Sequence, residues 1–526
     1  MSRIAGGLLA VVVALVLAAP ASAQGFDQNG VIFVHGFVGS GAQFESQKLR
    51  FMSNGYPDKW VAAIDYDSTQ ANASRDQVHT MIDQAVAAMK QATGRPKVDI
   101  LAHSLGTSVM QDYLEDPARA ANIGRYVNID GSQADAPPGG VPTLAVWAGR
   151  GTPGRRILGA TNVTIPNQTH VQTATSKESF VEYFKFLTGR TAQHDIVPET
   201  GQITIAGRAQ LFPQNVALPA GITVEVWPVD SVTGARVGSE PAARVALGGD
   251  GLFGPVKVDR DRRYELTVVR PGVATLHYYY EPFLRSDHLL RLLYSDAVEA
   301  AVRRSERHVS GLVLRYKELW GDQGAQSDVL SFNGTNVCVP VICPVSKQVN
   351  ALFFFDRNLD GQTDLSSPDP AFSALPFITG ADVFVPAARP PDAVVKATLR
   401  SRGAGPERNL SFPNFPSTVD GAVLQFNDFE QPAAEPCRRP DRISFKLHRI
   451  RGTRIVKAEA YVNGKRVLRQ SGKDIARVIL TGLPRDGAMT VRILATHNTG
   501  SKVESTRKWN GCQKGKPRVK RIPRRR

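Results

Sequence analysis

A mostly parallel sheet with helices on both faces, followed by all-β sandwich-like domains, is the fold class this sequence predicts. Three observations carry that expectation. Apolar runs of strand length alternate with helix-period segments as far as Leu187. Beyond Pro198 short alternating strands are separated by Gly, Pro and Asp turns. Between these regions' margins, Val98-Asp99-Ile100-Leu101 reads as a buried strand that runs straight into Ala102-His103-Ser104-Leu105-Gly106, and Thr107 to Leu114 then begin an apolar-periodic helix.

The elements follow in order. Met1 to Ala23 reads as a secretory signal, with Arg3 at the positive start, Ile4 to Ala19 as the apolar run and Ala21-Ser22-Ala23 as the cleavage site. The run is short and holds Gly6 and Gly7, which disfavours a membrane anchor. Export with cleavage near Ala23 is therefore expected. Residues 24–197 form the first domain. Val31 to Val34 is its first strand, ahead of the glycine-rich His35 to Ser40, and Trp60 to Tyr66 is the second. Gln77 to Ala92 is an amphipathic helix with Val78, Met81, Ile82, Val86 and Met89 at helical spacing. After Val98 to Gly106 and its helix come strands at Tyr126–Asp130, Thr143–Trp147 and Asn162–Ile165, the last leading to Thr169-His170-Val171. A helix over Lys177 to Leu187 closes the domain.

The rest of the chain reads as β structure. Residues 198–274 are expected to form one sandwich and 275–430 a second mainly β domain, interrupted by a helix near Asp287 to Glu306. A linker over 431–436, a basic β module over 437–513 and a solvated basic tail over 514–526 follow. The net charge of +16 is unevenly spread: from Cys437 to Arg526 there are 26 Lys+Arg against 5 Asp+Glu, so this stretch carries +21 and the remainder −5. In an exported protein that favours an anionic envelope or lipid surface as partner over nucleic acid, with a merely solubilising tail as the bland alternative. Four cysteines in an exported chain suggest disulfides, paired locally as Cys338–Cys343 and Cys437–Cys512. No C-x-x-C spacing or nearby histidine pair supports zinc.

The chemistry centres on Ser104. A serine in a sharp strand-to-helix turn, with small residues two positions to either side (Ala102 and Gly106), is the nucleophile elbow of the α/β-hydrolase fold. Its partners come later in the chain, an acid and then a histidine. His170 follows the last strand and is placed to be the base, whereas His103 lies inside the elbow and His194 beyond the final helix. The loop Ala148 to Thr152 offers no acid. Asp130, at a strand end before Gly131, is the first choice and Asp135 the second. The backbone N–H groups of Leu105 and Phe37 are the expected oxyanion donors.

With these residues in view, the chain resembles the archaeal long-chain lipases that fuse a hydrolase domain to a C-terminal β-domain. The resemblance runs from Val31 to Glu430. It is carried by Val34 to Ser46 (VHGFVGSGAQFES), Asp99 to Thr107 (DILAHSLGT), Asp135-Ala136-Pro137 with Pro142 to Val146, Ala160 to Val163, Thr169 to Gln172, Ser310 to Lys317, Val337 to Pro344 and Phe355-Asp356-Arg357. It implies Asp130 as the acid and Phe37 and Leu105 as the oxyanion donors. Two departures stand out: only one helix's worth of residues lies between Tyr66 and Val98, where those lipases carry a lid, and the basic module after Glu430 is not covered.

A second constellation is Asp356, Asn358, Asp360 and Asp364 around Gly361, the front half of a calcium loop with Ser367 in place of the twelfth-position glutamate. A structural calcium and a polar β-turn fit it equally. Catalysis needs no cofactor. The reading is a secreted serine carboxylic ester hydrolase, a lipase or esterase. A polyester depolymerase or thioesterase is the alternative, and an inactive envelope-binding homologue is a third reading.

Overall fold

The computed structural model describes residues 27–69, 73–270, 272–403, 405–429, 441–484, 488–510, 513–514 and 517–523. The expected signal segment, the linker, Cys437 and Cys512 lie outside them. The chain divides into two units, residues 1–430 and 431–526. No helix among the described residues is long and apolar enough to cross a membrane.

The first unit begins with a six-stranded sheet: β1 (Gly30–Val34), β2 (Val61–Ile64), β3 (Val98–His103), β4 (Ile123–Ile129), β5 (Thr143–Ala148) and β6 (Thr161–Ile165). All five pairings are parallel, and the spatial order is β2-β1-β3-β4-β5-β6. The mainly apolar composition of β1, β3 and β5 is explained by burial on both faces, every residue of each being buried, Asp99 and His103 included. Around the sheet lie α1 (Glu45–Ser53), α2 (Arg75–Thr93), α3 (Leu105–Leu114), the single turn α4 (Pro117–Ala120), α5 (His170–Thr175) and α6 (Lys177–Thr188). One core holds Ile32, Val34, Ile100 and Ala102 with the helix residues Val78, Ile82, Val86 and Met89; the other holds Val31, Phe33 and Leu101 with Phe180, Phe184 and Leu187.

Helix α2 starts at a Ser74 capping box closed by Gln77 and stops at Gly94 in the left-handed conformation. Its apolar stripe is spent in the core, so the one helix between β2 and β3 is a packed element and not a cover over the sheet edge.

The β part of the first unit departs from expectation in two ways. A single eight-stranded mixed sheet takes strands from Thr223–Val229 through Asp420–Gln425, so the division expected at 274/275 falls inside one sheet. Its strand Thr275–Tyr280 shows why: Tyr278 and Tyr280 enter one core, against the small sheet of Ile203–Leu211, while Tyr279 enters the other, against Val394–Arg400 and Arg408–Pro413. The helix expected near Asp287 to Glu306 is largely a strand. Asp287–Tyr294 pairs in parallel with Ile203–Leu211, and only Asp296–Ala301 is helical. Leu290, Leu292 and Tyr294 at period two fill the core, and sheet pairing overrides the leucine-rich local preference.

A buried charge cluster sits within this sandwich. The His277 ring donates to Glu265 at 2.6 Å and to Asp420 at 2.8 Å, and Arg236 pairs with Glu265 at 2.6 Å. Burial alone would lower the His277 pKa, but the hydrogen bonds from its ring to the two carboxylates outweigh this and raise it above 6.5. Burial opposes ionisation of Glu265 too, yet its bonds to His277 and Arg236 bring it from 4.5 down to about 2. The signs follow from linkage. The histidine's contribution is full below pH 6.5 and fades as pH rises through its raised value; the glutamate's is full above 4.5 and fades as pH falls toward 2. His277→Gln should abolish the alkaline decline and lower stability by about 1.5–3 kcal/mol, because it removes a charged hydrogen-bond donor shared by Glu265, which keeps Arg236, and Asp420. Thermal unfolding across pH checks this, and an unchanged alkaline limb in the variant would contradict it.

Cys338 and Cys343 are buried free thiols in the structure, so the expected bond between them is not formed. Burial, and then the hydrogen bond to Cys338, push the Cys343 thiol well above its usual value. The loop of Asp356 to Asp364 behaves as a turn. The Asp356 carboxylate accepts from the N–H groups of Asp360 and Gly361, Asp360 from Gln362, and Asp364 from Ser366, while Asn358 donates to Asp382. Among the described residues no group of three or more His, Cys, Asp or Glu side chains is arranged to hold a metal.

The second unit is a small sandwich. Ile443–Lys446 pairs with Arg477–Leu480, and a larger sheet is built from Lys465–Ser471, Ile455–Val462, Met489–His497 and Lys502–Asn510. The stretch read as a solvated tail contributes to it: Arg518–Ile522 is a strand on Lys502–Thr506.

Candidate active site

Ser104 stands between β3 and α3 with φ 55° and ψ −125°, a strained conformation for a residue with a side chain. Sterics explain the flanking small residues. A Cβ on Gly106 would lie 2.5 Å from the His35 carbonyl oxygen and 2.7 Å from that of Val34, and one on Gly36 would lie 2.7 Å from the Ser104 Cβ. The loop Gly36-Phe37 is thus pressed against the serine. Leu105 opens α3, where first-turn N–H groups have no helical acceptor.

His170 opens α5, and its Nδ1–H donates to Asp130 Oδ2 at 2.6 Å. Asp130, itself at φ 44°, is buried at the end of β4. Its other oxygen accepts from the Ala148 N–H at 2.9 Å and from Arg155 at 2.8 Å. Burial would raise its pKa, but the hydrogen bond and charge of His170, the Ala148 N–H and Arg155 outweigh burial and hold the carboxyl below its ordinary value. Asp130 is therefore an anion that fixes the Nδ1–H tautomer and leaves Nε2 free to accept a proton. Asp135 is exposed in its loop, and the carboxylate on His170 is that of Asp130.

The other histidines sort themselves by environment. His103 is fully enclosed, with Nδ1 2.9 Å from the Gln43 amide and Nε2 3.0 Å from the His170 carbonyl. Burial first, then the neighbouring His170, bring its pKa down to about 3. It stays neutral, and its ring, 4.5 Å from that of His170, seats the catalytic candidate against the elbow. His194 is exposed, and its backbone is tied to Asn54.

Several residues at the site had no sequence signal. Arg155, in a glycine-rich loop, stacks over Trp147 at 4.5 Å while it holds Asp130. Four more come from the β part. Asn215 donates to the carbonyls of Gly39 at 2.8 Å and Tyr66 at 2.9 Å, and Arg291 pairs with Asp65, which accepts from the Gly41 N–H. Together they brace the loop carrying Phe37. The fully buried carboxylate of Glu318 accepts from Thr169 Oγ1, Val171 N and Gln172 N, so it caps the helix that bears His170. Phe377, at φ 66°, lies nearly parallel to the His170 ring with centroids 6.2 Å apart.

Phe377 also lines a partly open pocket with a cavity volume of about 110 Å³, with Val38 and Ser40 from the loop after Phe37 and Leu314, Phe353 and Ala422 from the β sheet. The ring that lies beside His170 is therefore also part of the wall of a mainly apolar pocket of the β part.

Residues 28–117 match the class 2 lipase model, residues 201–297 the lipase C-terminal domain, and residues 297–430 a further C-terminal domain. The chain is similar to the lipase BlEst2 of Bacillus licheniformis in propeptide form, at 11% identity and TM-score 0.27 over 94% of this chain and 96% of that one. It is similar to a predicted CIB-like hydrolase of Thermoplasma acidophilum, at 14% identity and TM-score 0.24 over 33% and 89%. A probable hydrolytic enzyme of Pseudomonas aeruginosa compares at 14% identity and TM-score 0.24 over 32% and 87%. The family matches fit the resemblance read from the sequence, a lipase with C-terminal modules: the chain has an α/β-hydrolase fold whose residues 28–117 match class 2 lipases, followed by β structure that matches a lipase C-terminal domain and a further C-terminal domain.

Proposed function

We propose that the chain is an exported carboxylic ester hydrolase that cleaves acyl esters of lipids through Ser104, His170 and Asp130, with the long acyl chain housed in the cavity of the β part. The observation that carries this reading is Phe377, whose ring lies beside the Asp130-bound His170 and also lines a mainly apolar pocket of the β part.

The chemistry runs as follows. His170 Nε2 takes the Ser104 hydroxyl proton as Oγ attacks the ester carbonyl carbon. The resulting oxyanion accepts from the N–H groups of Phe37 and Leu105, each such donor being worth about 3 kcal/mol in the transition state. Asp130 stabilises the imidazolium, which then gives its proton to the departing alcohol. Water, deprotonated by the same Nε2, attacks the acyl-enzyme, and collapse of the second tetrahedral intermediate expels Ser104 and releases the fatty acid. Helix α2 being committed to the core, access is not gated by a cover in that segment, and activity should not jump at the substrate's solubility limit.

The reading is tested with p-nitrophenyl esters graded in acyl length. Wild type should hydrolyse them with kcat/KM rising toward long chains. Ala351→Phe places a ring inside the pocket and should lower kcat/KM for long esters about tenfold or more while sparing short ones. Inertness toward every ester would sink the enzyme reading. Equal losses on short and long esters in the variant would place the acyl chain elsewhere.

A further inference from the structure

We infer that the outer face of the large sheet in the C-terminal unit is a docking surface for an anionic lipid bilayer. The inference does not use the hydrolytic reading and stands on the second unit alone.

Strand register separates the two faces of this sheet. Ala458, Ala460, Val491, Ile493 and Ala495 are buried in the sandwich core. Their alternates therefore point the other way. On the edge strand these are Arg466 and Arg469, and on its neighbour Lys457, Glu459 and Tyr461. Arg492 continues the row, followed by Lys502, Glu504 and Lys508. Arg518 and Lys520 complete it on the last strand.

Among the described residues the face thus carries eight cations against two carboxylates. Both carboxylates are already engaged, Glu459 by Lys457 at 3.1 Å and Arg466 at 3.6 Å, and Glu504 by Arg492 at 3.1 Å. The surplus belongs to the face itself. Tyr461 lies within it, with the Arg492 guanidinium 4.2 Å over its ring.

The shape of the patch decides its partner. The charge is spread over five strands, roughly 20 Å across at the usual strand spacing, and continues along each strand. A linear polyanion needs one stripe or groove of cations. A plane of cations with a surface tyrosine fits a plane of anionic head groups.

The test is sedimentation of the full chain with phosphatidylcholine vesicles, with and without phosphatidylglycerol. Binding should require phosphatidylglycerol and be reversed by high salt, as expected for exposed charges. Lys502→Glu with Arg518→Glu, both exposed on this face, should weaken partitioning at least a hundredfold, since each cation near such a surface is worth roughly fivefold. Lys446→Glu with Arg477→Glu makes the same charge change on the other sheet of the sandwich and should retain most of the binding. If the reversal pair fails to fold by circular dichroism, Lys502→Gln with Arg518→Gln replaces it, with a loss of at least tenfold expected. Indifference to phosphatidylglycerol, or equal losses in the two pairs, overturns the inference. Capture by heparin or duplex DNA without vesicle binding overturns it too, and reassigns the face to a linear polyanion.

Discussion

Replacement of Ser104 by alanine is expected to reduce ester hydrolysis to background, a loss on the order of 10⁴–10⁶-fold in kcat. The size of the effect follows from the geometry. Ser104 is held at φ 55° between β3 and α3, and the only Oγ in that position is its own. The strained turn presents the hydroxyl and nothing else in reach replaces it as a nucleophile in the proposed mechanism. Asp130→Asn should cost about 10⁴-fold. An asparagine that keeps the Ala148 N–H and Arg155 bonds through its oxygen turns its NH₂ toward His170 Nδ1, which moves the ring proton to Nε2, the atom that must accept from Ser104. Folding should be preserved in Ser104→Ala, so intact thermal unfolding with lost turnover separates chemistry from stability. A Ser104→Ala protein that keeps its turnover would rule out the serine mechanism, and a fully active Asp130→Asn protein would remove Asp130 from it.

Glu318→Ala is expected to lower kcat about 10²-fold and stability by about 3–5 kcal/mol. One carboxylate, wholly buried, satisfies the Thr169 hydroxyl and the N–H groups of Val171 and Gln172, the residues on either side of His170. Removing it leaves three donors, two of them buried, without their acceptor and takes the more distant of two carboxylates, at 3.8 Å, from Arg402, which keeps Asp328 at 2.6 Å. The turn then relaxes, and misplacing a general base by about 1 Å costs on the order of 10²-fold. Glu318→Gln keeps an acceptor oxygen and should recover most of kcat. The split between kinetic constants is diagnostic: KM for a short soluble ester should change little, because Glu318 touches no substrate. A folded Glu318→Ala protein with unchanged kcat would make the residue purely structural.

These two positions differ in how they could be read from the chain. Ser104 announces itself locally. A buried strand, small flanking residues and a following helix are all within a dozen positions, and each reflects a short-range steric demand, such as the 2.5 Å that separates a Cβ on Gly106 from the His35 carbonyl. His170 and Asp130 were legible by chain order and strand ends. Glu318, Arg155, Asn215 and Phe377 were not, because an acid, an arginine, an asparagine and a phenylalanine in ordinary strands and loops acquire a role only when distant segments meet. The same holds for Asp287–Tyr294, whose leucines suit a helix until Ile203–Leu211 offers a parallel partner.

By itself, then, the sequence determined the six-stranded parallel core, the elbow turn that holds Ser104, the strand ends from which Asp130 and His170 meet, and the basic character of the C-terminal unit. Those are consequences of side-chain periodicity, turn sterics and composition, which act over a few residues. The tertiary structure alone decided that the expected β domains share one eight-stranded sheet. It also decided that the β part buries Glu318 under the His170 turn and forms a pocket at Phe377, and that eight of the C-terminal cations share one sheet face. Pairing register and packing between segments far apart in the chain set these outcomes, since a hydrogen bond or a buried charge is satisfied by whatever the fold brings beside it.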